Sequence, residues 1–149
     1  MALERILLAV GPGNEEYRKN LTDFVTDVAS PADITVVLTH VFTQDEFEST
    51  TERLGIESPT EVTPDEVARR HDTIRSISKG LDEAGIEYET RGAVGSHSEE
   101  IIRIATENNS DLIVVGGRKR TPAGKAVFGS TAQEVMLSAP CPVTLVRES

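Results

Sequence analysis

Between Asp111 and Glu134 the chain carries no acidic residue, yet this window holds Arg118, Lys119, Arg120 and Lys125. On a chain with 25 acidic and 15 basic residues and a formal net charge of −10, that is a local reversal of sign. Gly116, Gly117, Gly124 and Gly129 punctuate the same window, and glycine lets backbone approach a ligand closely. Gly129-Ser130-Thr131 then opens a helical pattern, whose free N–H groups and positive dipole end favour a phosphate. Cations, glycines and a helix start converging on one loop describe an anion site, with Ser130 and Thr131 as hydroxyl donors. A solvated basic loop, with Ser130 simply capping its own helix in a box with Gln133, accounts for the same residues.

Other chemistry is poorly supported. No Gly-x4-Gly-Lys-Ser/Thr loop exists, so a P-loop NTPase is excluded. No cysteine or histidine cluster has metal-ligand spacing. The single cysteine, Cys141, lies between two prolines and reads as a small core residue. His40 and His71 read as structural histidines, His71 sharing a helical stripe with Val67 and Ile74. His97, in a Ser-His-Ser stretch, stands where a ligand edge would be. A two-component receiver domain needs clustered aspartates after its first strand and one after its third, but Gly11 and Gly92 occupy those regions. A flavodoxin's Ser/Thr-rich phosphate loop is absent too.

The acidic balance, a pI near 4.7 and only four lysines argue against general nucleic-acid binding, because most faces would repel a phosphate backbone. Such a surface suits a high-salt cytoplasm, or an ordinary acidic protein. With 38% hydrophobic residues and no run near the ~20 apolar residues of a spanning helix, no membrane partner is expected. Met1-Ala2-Leu3-Glu4-Arg5 lacks the features of a secretory leader, and one cysteine forms no internal disulfide, so a cytoplasmic location is expected.

The elements that must position the basic loop form an alternating series. Strand-like apolar runs cover Arg5–Val10, Ile34–Val41, Ile86–Arg91, Leu112–Gly116 and Val143–Arg147. Helical patterns lie between them. Asn14 precedes Leu21, Phe24, Val25 and Val28, and a Thr63-Pro64-Asp65-Glu66 capping box opens a helix that Gly85 ends. Ser96 with Glu99 forms another box. The prediction is one domain, residues 1–149, of α/β class. It is an open, doubly wound, parallel five-stranded sheet with helices on both faces. Residues 43–62 fall outside the periodicity, as a mobile flap or a short extra helix. In such sheets ligands bind beyond the carboxyl ends of the strands, so the loops after Val10, Val41, Arg91 and Gly116 are the candidates.

Asp111-Leu112-Ile113-Val114-Val115-Gly116, then Gly129-Ser130, then Ala139-Pro140-Cys141-Pro142-Val143, resembles the C-terminal signature of the universal stress protein family. Ile6–Val10, Thr39-His40-Val41 and Gly95 extend the resemblance over nearly the whole chain. It implies the sheet order 3-2-1-4-5 and homodimers, often joined through the last strand, here Val143–Arg147. In one branch it implies ATP or AMP, with or without Mg, at the switch point of the sheet. That branch carries Gly-x2-Gly-x9-Gly followed by Ser or Thr. Gly116, Gly129 and Ser130 match it, and Lys119 replaces the second glycine. Gly11 stands where the family commonly has an acidic residue near the ribose. The expected site is then Ala9, Val10, Gly11 and Val41 toward the nucleoside, with Gly116, Arg118, Lys119, Gly129, Ser130 and Thr131 toward the phosphates. The resemblance implies a stress-linked regulatory module. The alternatives are a dimeric interaction protein without nucleotide and, least supported, a slow ATPase, since no residue is evidently placed to activate water.

Overall fold

A computed structural model describes residues 3–11, 15–117 and 129–147. The expected cap Asn14 and the cations Arg118, Lys119, Arg120 and Lys125 lie outside the described residues. Five strands, β1 (Arg5–Ala9), β2 (Thr35–Phe42), β3 (Tyr88–Val94), β4 (Leu112–Gly117) and β5 (Val143–Arg147), form one sheet in the order β3-β2-β1-β4-β5. Every pairing is parallel. The open, doubly wound α/β sheet expected from the sequence is therefore present.

Alternation along the central strand builds two cores. Ile6 and Leu8 of β1 join Val36, Leu38 and Val114 on one face. There they meet Leu21 and Val25 of α1 (Glu15–Ala29), with Ile74, Ile77 and Leu81 of α4 (Asp72–Glu83). Leu7 and Ala9 join Val37, Ile113 and Val115 on the other face, against Ile101 and Ile104 of α5 (His97–Glu107) and Val135 of α6 (Ser130–Ser138). Full burial of each such aliphatic side chain contributes about 1.5–3 kcal/mol. β1, β2 and β4 read as nearly continuous apolar runs because both of their faces are covered. No helix of the described residues is long and apolar enough to cross a membrane.

Residues 43–62 follow the helix alternative. Thr43 accepts a hydrogen bond from the Glu46 N–H, and Glu46 accepts one from the Thr43 N–H, a complete capping box for α2 (Gln44–Arg53). Phe47 of α2 then packs on Phe42, Val67 and Ala68 in a third, smaller core at the carboxyl end of β2.

Four local expectations are corrected. The helix expected from Thr63 to Gly85 is two helices, α3 (Pro64–Arg70) and α4, because His71 is extended (φ −69°, ψ 134°) between them. The break is stabilised by the His71 side chain, whose Nδ1 accepts from the Thr73 N–H at 3.3 Å. β3 lies later than Ile86–Arg91, since Tyr88 pairs with Val36 and Val94 with Phe42, while Ile86 closes the turn after α4 by donating to the Leu81 carbonyl. Ser96 makes no side-chain cap, and its α5 opens without one. Ser130 is not a cap either: Gly129 holds that position, and Ser130 is the first residue of α6.

Candidate functional site

The chain runs β1, β2, β3 outward to one edge and returns to place β4 on the other side of β1. The strand order reverses there, and a crevice opens beyond the carboxyl ends. A cavity of about 240 Å³ occupies it. The exit of β1 supplies Ala9, Val10 and Gly11, the end of β2 supplies Thr39, His40 and Val41, and β4 supplies Val115 and Gly116. From the helices come Tyr17 (α1), Glu46 (α2), His97 and Ile101 (α5), and Ser130, Thr131 and Ala132 (α6), with Gly129 before them.

Each part has a local cause. Gly116 is glycine because the Tyr17 ring lies on it: a Cβ there would come within 1.3 Å of Tyr17 Oη. At Gly11 the same construction meets nothing within 4 Å, so the β1 exit presents open space. α6 begins at Ser130 behind a Gly129 cap that has no side chain, so among the described residues no capping side chain claims the N–H groups of its first turn. Positive helix-end charge and the Ser130 and Thr131 hydroxyls meet at this end of the cavity. No lysine or arginine is among the described residues that line it.

The opposite end is built by β2, α2 and α5. His40 Nδ1 lies 2.9 Å from the Val10 carbonyl oxygen, which only accepts, so Nδ1 carries the proton and Nε2 keeps its lone pair. The His40 ring stacks on His71 at 4.4 Å between centroids and meets Phe42 edge-on at 4.5 Å. Burial, reinforced by His71, pushes the His40 imidazole down to about 4 against the opposing pull of the Val10 carbonyl, so it is neutral at physiological pH. His71 is also lowered, by burial first and then by the Arg53 charge. At the same end, His97 Nε2 stands 3.0 Å from Glu46 Oε1, which also accepts from the Thr43 N–H at 2.7 Å. Burial alone would raise the Glu46 carboxyl; the Thr43 N–H and His97 outweigh it and hold the group below its usual range.

Of the residues expected from the sequence, the fold brings Ala9, Val10, Gly11, Val41, Gly116, Gly129, Ser130 and Thr131 to one cavity, while Arg118 and Lys119 lie outside the described residues. Arg91 does not line it: the strand continues three residues further, and Arg91 instead lies 3.8 Å from both Asp65 and Glu107. Glu46 and Tyr17 were missed. Thr43-Gln44-Asp45-Glu46 has the capping-box form that was recognised at Thr63, so a signal for α2 existed. Nothing local marks Tyr17.

The sequence model of the universal stress protein family matches residues 2–147. A universal stress protein of Mycolicibacterium smegmatis is 33% identical over 79 residues, 52% of this chain and 61% of its own length. One from Methanocaldococcus jannaschii is 30% identical over 77 residues, 52% of this chain and 45% of its own length. The matched stretches thus span about half the length of these relatives. The universal stress protein structure from Archaeoglobus fulgidus superposes with a TM-score of 0.70 at 24% identity, covering 96% of this chain and 98% of that one. A structure from the same organism in complex with dAMP gives 0.63 at 19% identity over 98% and 99%. An Arabidopsis thaliana family member with AMP bound gives 0.66 at 14% over 98% and 92%. A family match across nearly all of the sequence leaves one assignment: the chain belongs to the universal stress protein family.

Proposed function

We propose that the cavity binds an adenine nucleotide, AMP or ATP, and that the protein acts as a nucleotide-responsive regulatory module. The observation that carries this reading is the polarity of the cavity. The uncapped first turn of α6, with Ser130 and Thr131, offers hydrogen-bond donors at the β4 end, while Val10, Val41 and Ile101 form an apolar wall toward β2. A phosphate suits the first end and a nucleobase the second. Relatives of the same fold that hold AMP and dAMP support the reading. Arg118 and Lys119 would add charge to the phosphate end.

Calorimetric titration of AMP and ATP, with and without Mg and at low and molar salt, tests it. Binding heat is expected, and Gly129→Val, which adds a branched side chain at the phosphate end, is expected to abolish it. A flat titration under every condition refutes the reading.

A second reading, a homodimeric interaction protein, is favoured by β5, an edge strand among the described residues, and by Leu137 of α6, which is 80% exposed. Sedimentation velocity over a hundredfold range of concentration tests the homodimer; a monomer throughout removes it.

A further inference from the structure

The two ends of the cavity differ in hydrogen-bonding sense as well as polarity. At the α6 end the available groups are N–H and O–H donors. At the β2 end they are acceptors. Among the described residues, both hydrogen-bond contacts of the Glu46 carboxylate fall on Oε1, from the Thr43 N–H and from His97, which leaves Oε2 open to a ligand. His40, whose Nε2 keeps its lone pair, lines the same end. Thr43 and His97 both anchor the carboxylate through Oε1.

Orientation follows from the sheet. β2 and β4 flank β1, and neighbouring strands lie about 4.8 Å apart, so the two ends of the cavity are separated by about 10 Å. A phosphate at α6 is thereby kept clear of the Glu46 charge. The part of a nucleotide that reaches Glu46 is the far end, the base, with the sugar over the open space at Gly11.

We propose that Glu46, through Oε2, accepts a hydrogen bond from an exocyclic amino group of the base and so makes the site selective for a 6-amino purine. A 6-oxo purine held in the same pose would set its carbonyl oxygen against Oε2, with repulsion replacing attraction. The proposal rests on the nucleotide reading above, and Glu46 enters it from α2, an element independent of the phosphate end. His97 is a positioning residue that holds the carboxylate through Oε1.

The test compares three ligands by calorimetry: AMP, purine riboside 5′-monophosphate, which lacks only the amino group, and IMP, which has an oxygen in its place. The wild-type protein is expected to bind AMP about tenfold or more tightly than either analogue, as for a hydrogen bond to a charged acceptor. Glu46→Gln keeps an acceptor for the Thr43 N–H but sets an amide –NH2 donor where Oε2 faced the base, and is expected to abolish the preference for AMP over IMP, whose 6-oxo group can accept from it. Thermal unfolding of Glu46→Gln checks that the variant is folded. If it is not, the wild-type series with three ligands still decides. Equal affinities in the wild-type protein overturn the proposal while leaving the nucleotide reading intact. So does an undiminished preference for AMP in Glu46→Gln. Failure of all three ligands to bind the wild-type protein overturns the nucleotide reading itself, and this inference with it.

Discussion

Gly116→Ala probes the seam between α1 and β4 at the cavity. The new methyl carbon would lie 1.3 Å from Tyr17 Oη, 2.2 Å from Cζ and 2.6 Å from Cε2. Turning the O–H does nothing for the two ring carbons, so the whole ring must move. Tyr17 is 5% exposed and packs in the same core as Leu21 and Val114, so its displacement disturbs the packing around it. Over-packing of this kind costs about 1–3 kcal/mol. For a chain of this size that corresponds to a fall in Tm of about 2–12 °C. The cause can be isolated with Tyr17→Leu, whose side chain ends before the three colliding atoms. In that background Gly116→Ala should cost little, giving a coupling of about 1–2 kcal/mol in a double-mutant cycle. Urea unfolding followed by far-ultraviolet circular dichroism at pH 7.5 measures all four proteins. A wild-type midpoint for Gly116→Ala, or the same loss in both backgrounds, refutes the reasoning.

The other glycines and titratable groups give further expectations. At Gly92 a Cβ would come within 2.1 Å of the Pro64 carbonyl oxygen, which is backbone, so Gly92→Ala should exceed Gly116→Ala at about 3 kcal/mol or more; Gly11→Ala, in open space, should stay within about 0.5 kcal/mol, and a reversed order in the same unfolding series refutes both. Because the folded His40 sits near 4 and the unfolded one near 6.5, the unfolded chain takes up the proton first on acidification. Stability is then lost as pH falls from 6.5 toward 4, by up to about 3 kcal/mol, and His40→Gln should flatten that part of the profile; parallel wild-type and variant profiles contradict this. Burial, aided by Asp111, raises the Cys141 thiol, so its reaction with Ellman's reagent at pH 8 should be slower than that of an unfolded control, and equal rates argue otherwise.

The sheet was legible because its strands are buried on both faces, which leaves runs such as Ile6–Val10 and Leu112–Val115 with hardly a polar residue. Its order was not in the periodicity and came from the resemblance alone. The break at His71 escaped notice because Val67, Ile74 and Ile77 keep a helical spacing across it. The extended His71 at the break caps α4 through its Nδ1 and stacks its ring on His40, a partner 31 residues away. α2 was hidden for a related reason: its buried face is Phe47, Thr50 and Thr51, too polar to announce a stripe. Gly116, Gly129, Ser130 and Thr131 were readable as glycines and a helix start, while Ala9, Val10, Gly11 and Val41 came from the strand ends and the resemblance. Glu46 and Tyr17 were not readable, because they depend on which helix lies over which strand exit.

β1 is joined to β2 by a connection within the first half of the chain, but to β4 only after more than a hundred residues, so the β1–β4 pairing is the seam where two halves of the sheet meet. The crevice draws on both halves. Pulling them apart would dissolve it, while melting either outer strand would leave most of it standing. A small molecule held there therefore acts as a rivet across the seam. At a hundred times its Kd it would oppose separation of the halves by about 2.7 kcal/mol, and hydrogen exchange at Ile6–Ala9 and Leu112–Val115 would slow together.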